Sequence, residues 1–272
     1  MLVTNDTKQA PGKGGLLSRL LLILGILLLV VALGIAGFIV WQYADAQNRY
    51  SQIQSVAGLE VNIPEAVDSR LQLEDLNFDW HALRELNPDV VGWIIIPGTN
   101  VNYPIVQGND NEYYLYHLFD TTSSGTGSIF ADFEGYSTLD GQNNLIYGHN
   151  MFDSSMFSDI LMYSNQNYFD THRTVFLCTP ERNYELSAVA LVNVPENTEL
   201  RKFYFETQEE FTAYLETNLT SPISAVPNLL EQISVMESAY WLVTCDTFDT
   251  SKRIILNCVP VRSEVPANAQ QQ

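Results

Sequence analysis

A chain of 272 residues, 46% of them hydrophobic, is long enough for one sizeable domain with a packed core plus appendages. Its formal net charge of -19 argues against a nucleic-acid partner, which requires clustered Lys and Arg. The three cysteines, Cys178, Cys245 and Cys258, form no CxxC spacing, which argues against a zinc site or disulfide framework. At least one thiol is therefore left without an intramolecular partner.

Residues 1–19 carry Lys8, Lys13 and Arg19 against the single acid Asp6. Residues 20–41 hold no charge and are interrupted only by Gly25, Gly34 and Gly37. As a helix rising ~1.5 Å per residue, this stretch crosses a ~30 Å hydrocarbon core. Beyond it lie 10 basic and 31 acidic residues. The positive-inside rule then predicts a cytoplasmic tail (1–19), a single-pass anchor (20–41) in the cell membrane, and an extracellular body. Trp41 and Tyr43 suit the aromatic interface. The small-x-small pattern of Ala44, Asp45 and Ala46 offers the alternative of a cleaved signal peptide. The apolar run exceeds the ~7–15 residues of a signal h-region, which favours the retained anchor.

Residues 42–77 read as an extracellular spacer and N-terminal helical region, with a helix-compatible run over 45–56 and a break at Pro64. Residues 78–86 predict a short helix with Asp79 near its start and Asn87 and Pro88 to stop it. From there the pattern turns to short apolar runs at 90–96, 101–106, 127–132, 144–148, 174–179, 184–192, 239–245 and 253–259. The first is closed by the turn pair Pro97 and Gly98. Eight such runs with few helices between them predict a mainly-β fold, a closed or nearly closed barrel. Helical insertions are expected at 153–163, where Met156, Phe157, Ile160 and Leu161 are helically spaced and Asp153 or Ser154 offers a cap. A second falls at 207–217, with Glu209 and Glu210 in its first turn, and a weaker third at 228–233. Residues 263–272 read as a disordered tail.

Two stretches carry chemistry. In YWLVTCDTFDTSKRIILNCV (240–259), Cys245 ends one strand and Arg253 opens the next, so the loop brings thiol and guanidinium to one end of a sheet. A cation there favours thiolate, and its fork of donors suits an oxyanion. In NNLIYGHNM (143–151), a buried strand runs into Gly148 and then His149, which places an imidazole at a strand end. His81, His117 and His172 fit surface or structural roles, and four scattered histidines argue against a metal site. Cys178 and Cys258 lie in strand runs and read as core. Asp246 and Asp249 would either orient His149 or sit solvated in the loop. A papain-like protease would carry Cys before His, the reverse of this order.

These motifs together resemble the sortases, and class B in particular. The resemblance rests on NLIYGHNM (144–151) with SMF (155–157), and on LVTC (242–245) followed eight residues later by RIIL (253–256). It also rests on GWIIIPGT (92–99), VNYPIVQG (101–108), Asp110 with Asn111, YYL (113–115), and the helix before the final strand pair. It spans residues 78–262, the expected catalytic domain. It implies an eight-stranded sortase-type barrel and a membrane-anchored cysteine transpeptidase with Cys245 as nucleophile, His149 as general acid/base and Arg253 stabilising the oxyanion. The implied partners are secreted proteins bearing a C-terminal LPxTG or NPxTN sorting signal, and an amine of the cell-wall precursor or a pilin Lys. No cofactor is implied. The class often has Ser where this chain has Val243, and the lid motif of pilin-polymerising sortases is not found. A pilin-polymerising sortase and a non-enzymatic anchored binding domain are the alternative readings.

Overall fold

The computed structural model describes residues 14–58, 73 and 76–266. Residues 1–13 of the expected cytoplasmic tail, residues 59–72, 74 and 75 of the expected spacer (Pro64 among them), and residues 267–272 lie outside the described residues. The chain divides into two compact units, one ending at Asp45 and one beginning at Ala46. Helix α1 (Gly14–Val56) supplies the first with its residues up to Asp45, and its apolar stretch is long enough to cross a membrane, with its side chains exposed. Within the second unit, Ala46, Tyr50, Ile53 and Ala57 recur at helical spacing and are buried. The Tyr50 hydroxyl donates to Gly127 O at 2.8 Å, and Arg49 pairs with Asp120 at 2.6 Å. The part of the expected spacer from residue 46 to 57 is thus packed against the domain, which begins earlier than residue 78.

Helix α2 (Trp80–Leu86) is capped by Asp79, whose carboxylate accepts from Ala82 N at 2.9 Å. Strands β1 (Val90–Ile95), β2 (Asn102–Val106), β3 (Ile129–Ala131) and β4 (Asn143–Tyr147) follow. After α3 (Gln166–Thr171) come β5 (Thr174–Cys178), β6 (Asn183–Pro195), α4 (Gln208–Asn218), β7 (Ser224–Ala225), α5 (Leu229–Val235), β8 (Ala239–Cys245) and β9 (Lys252–Glu264). The sheet runs β5-β1-β2-β3-β4-β8-β9-β6 and closes through β6 back to β5, an eight-stranded barrel. β7 pairs with β6 at Ala190 and Leu191, beyond the stretch that β5 occupies.

All eight expected strands are present. Three differences matter. The helix expected over 153–163 is instead a turn followed by a 3-10 helix, Ser158–Ser164, because Ser154 and Met156 adopt left-handed backbone with φ of 62° and 56°. Helix α3 is an addition that the apolar spacing does not announce. Strand β9 continues to Glu264, so Ser263 and Glu264 are strand residues and not tail. The helix at 207–217 is α4, with Thr207 accepting from Glu210 N, and the weaker expectation at 228–233 is α5.

Two of the pairings are parallel, β2 with β3 and β4 with β8. The second decides where the site forms. The interior is filled by Trp93, Trp241, Phe119, Phe157 and the aliphatic faces of the strands, and these four aromatic rings are fully buried.

Candidate active site

β4 and β8 lie side by side in parallel, with Asn143 opposite Ala239 and Tyr147 opposite Val243. Carrying that register two residues further sets His149 opposite Cys245, so residues far apart in the chain leave the barrel together. β8 and β9 are antiparallel, and Cys245 is the direct partner of Arg253. Imidazole, thiol and guanidinium therefore meet at one end of three adjacent strands. All three line one open pocket of about 380 Å³, with Asn111, Leu115, Tyr116, Tyr147 and Thr244 among its other walls.

The local sequence explains the placement. A Cβ on Gly148 would lie 2.4 Å from the Ile129 side chain and 2.7 Å from the Phe157 ring, so only glycine fits between β4 and the turn that follows. Gly148 N still donates to Val243 O at 3.1 Å, which keeps the strand pairing intact to the edge of the site. His149 is half-buried, with Nε2 2.8 Å from the Leu115 carbonyl. A carbonyl only accepts, so Nε2 holds a proton in this arrangement and Nδ1 is the nitrogen left for exchange. The ring rests against Gly127, whose φ is 61° and where a Cβ would lie 3.0 Å from the imidazole. Beyond His149, the Asn150 amide donates to Cys245 O at 3.2 Å and to Thr247 Oγ1 at 2.8 Å. The two chain segments that bear His and Cys are thereby tied together.

Cys245 is half-exposed, whereas Cys178 and Cys258 are fully buried, and burial pushes both of their thiols up. Only one thiol is placed to react. Arg253 Nη1 donates to the carbonyls of Thr250 at 2.8 Å and Lys252 at 2.9 Å, and Nη2 pairs with Glu196 at 3.0 Å.

No protein-family model matches the chain. Among curated proteins it is 31% identical to sortase B of Listeria monocytogenes over 82% of this chain and 90% of that protein. The chain belongs to the class B sortases. Sortase B of Staphylococcus aureus is 28% identical over 88% of this chain and 96% of that protein. Among solved structures, sortase B of Clostridium perfringens superposes with a TM-score of 0.62 at 28% identity, covering 67% of this chain and 99% of that one. The enzyme is accordingly a sortase cysteine transpeptidase.

The remaining acids and histidines of this sortase are sorted by their partners. Asp246 accepts from Phe248 N and Asn193, and Asp249 from Ser251 and Lys252, which hold both carboxyls below the usual range and brace the β8–β9 loop. The partner that orients His149 is the Leu115 carbonyl, which no sequence motif announces. His117 stacks on Tyr113 at 4.0 Å and His172 on Tyr168 at 3.8 Å, both structural uses, and His81 is on the surface beside Glu85. Among the described residues no three His, Cys, Asp or Glu side chains are grouped to hold a metal ion.

The pocket wall formed by Tyr147 and Asn111 has its own support. Asp132 is fully buried, and its Oδ2 accepts from Tyr147 Oη (2.8 Å), Asn111 Nδ2 (2.8 Å) and Arg201 Nε (2.7 Å). Burial alone would raise this carboxyl. The Arg201 guanidinium, Glu134 N–H, Tyr147 and Asn111 outweigh it and hold the group below the usual carboxylate range. Thr244, beside Cys245, lines the pocket, and its hydroxyl oxygen is buried with no hydrogen-bond partner among the described residues.

Proposed function

We propose that Cys245, as thiolate, attacks the Thr carbonyl of an LPxTG or NPxTN sorting signal in a secreted protein. The S–C bond forms as the peptide C–N bond breaks, and the acyl group is held as a thioester. His149 donates a proton from Nδ1 to the departing amine, then takes one from the incoming amine that resolves the thioester. Arg253 donates to the tetrahedral oxyanion, a task suited to a planar fork. The acceptor is an amine of the cell-wall precursor. Residues 20–41 anchor the enzyme in the cell membrane with residues 1–19 in the cytoplasm and the catalytic domain, 78–262 together with the packed end of α1, outside.

The observation that carries this reading is the shared register. A parallel and an antiparallel neighbour of β8 bring an imidazole and a guanidinium to the single half-exposed thiol. It is supported by a Staphylococcus aureus sortase B structure solved with its substrate, and by another sortase B solved with triglycine. The test is incubation of the purified protein with fluorogenic LPxTG and NPxTN peptides, with and without triglycine. The expected result is cleavage by wild type, an amine-dependent ligated product, and loss of both in Cys245→Ala. Failure to cleave any sorting peptide would overturn the reading.

A further inference from the structure

The chain between β6 and α4 has no regular secondary structure from residue 198 to 205, yet it is fastened at three points. Glu196 N donates to Ser251 O at 2.8 Å while its carboxylate receives Arg253 Nη2 at 3.0 Å, so its main chain grips the end of the β8–β9 loop and its side chain the start of β9. Midway, the buried Asn143 amide donates to the carbonyls of Leu200 and Lys202, each at 2.9 Å. Between those carbonyls, Arg201 turns to the pocket wall. Its Nε and Nη2 reach the two oxygens of Asp132 at 2.7 and 3.2 Å, and Nη2 also meets Glu134 at 2.7 Å. Asp132 in turn holds Tyr147 and Asn111, which line the pocket.

The geometry points to the segment 196–202 as a strap that sets the active site from two sides, with Glu196 and Arg201 as positioning residues of different kinds. Glu196 acts through Arg253. With Nη1 committed to two carbonyls and Nη2 to Glu196, these bonds hold the guanidinium plane of this pocket-lining residue in place before the oxyanion forms. Arg201 acts through Asp132 on Tyr147 and Asn111, groups that form a wall for the peptide and do not touch the reacting carbonyl. The Asp132 carboxylate has no exposed surface, so it depends on this bidentate partner to remain charged and to keep Tyr147, Asn111 and the Glu134 N–H in place. The inference rests on the assignment of Arg253 and the pocket given above.

Two ends with two jobs predict two kinetic signatures. In Glu196→Ala, kcat should fall roughly tenfold, the scale of a charge-assisted hydrogen bond, with KM within about twofold of wild type. Glu196→Gln retains an acceptor for Nη2 and should recover most of that loss, which distinguishes orientation from a charge effect. In Arg201→Ala, KM should rise roughly five- to tenfold while kcat stays within about threefold, because the wall binds ground and transition states alike. Arg201→Lys keeps the charge beside Asp132 without the fork, should fold even if Arg201→Ala does not, and should give the same KM signature at reduced size. Kinetics with a sorting peptide and triglycine, alongside thermal melts, read all four. A wild-type protein that cleaves no peptide overturns the functional reading and the strap with it. An active wild type whose Glu196 and Arg201 variants alter kcat and KM in the same way, or not at all, overturns the strap alone.

Discussion

Gly148→Ala is a one-carbon change at the hinge between β4 and His149, and its size can be worked out. The added Cβ would lie 2.4 Å from Ile129 Cδ1, 2.7 Å from Phe157 Cδ2 and 2.8 Å from Phe157 Cγ. Ordinary carbon contacts lie near ~3.5–4.0 Å, so roughly 1 Å must be found. The Ile129 methyl is the movable end of a chain, but the Phe157 ring is rigid and both residues are fully buried. Overpacking of this kind costs about 1–3 kcal/mol. If the backbone yields instead, the Gly148 N to Val243 O bond is strained, at a further cost of about 1 kcal/mol. At roughly 2–4 °C per kcal/mol for a domain of this size, the melting temperature should fall by about 2–16 °C. A protein with typical stability of about 5–15 kcal/mol stays folded through that loss, so most molecules are native at about 25 °C. Activity should suffer more than folding does, because a ~1 Å displacement of a catalytic group costs on the order of 100-fold. The assay is thermal melting beside kcat/KM on the cleaved sorting peptide. A variant that melts within about 1 °C of wild type and turns over within about twofold would refute the steric argument.

The other expectations concern charge. Arg253→Lys keeps the cation but cannot reach the Thr250 and Lys252 carbonyls, Glu196 and an oxyanion at once, so kcat should drop about 100-fold in steady-state assays. Near-wild-type turnover would count against the guanidinium as the oxyanion donor. The Asp132 carboxyl is depressed in the folded protein, so its contribution to stability is present above the unfolded carboxyl value of ~3.9 and is lost as pH falls through the lower folded value. Urea midpoints of wild type and Asp132→Asn should therefore differ most at neutral pH and converge in strong acid. A gap that stays constant down to about pH 2 would exclude this coupling.

The eight barrel strands could be read from the sequence because each is a run of apolar residues ended by Gly, Pro or a polar turn, and burial on both faces imposes that composition. β7 could not, since Ser224 and Ala225 are strand only by pairing with Leu191 and Ala190 on a neighbour already formed. The helix expected over 153–163 is absent although Met156, Phe157, Ile160 and Leu161 are all buried or half-buried. They are placed there by a turn with left-handed residues, which leaves no trace in apolar spacing. Cys245, His149 and Arg253 stood out because each sits at the end of an apolar run, and His149 also follows a glycine at the strand end. Their supports did not. Leu115 contributes a carbonyl, which every residue has, and the Glu196 and Arg201 ion pairs join positions far apart that only the barrel brings together.

Strand β8, which carries Cys245, fits between β4, laid down much earlier in the chain, and β9, the last strand among the described residues, which itself must pair along the whole of β6. No fragment that ends before β9 can own the pocket. The thiol is thus chemically ordinary while the chain is being made, and becomes part of a constellation only when the final strand seats. Contacts this distant are slow to form, on the scale of milliseconds to seconds for all-β topologies. Turnover of a sorting peptide consequently serves as a readout that the barrel has been completed, and appearance of activity during refolding would time the closure of its last seam.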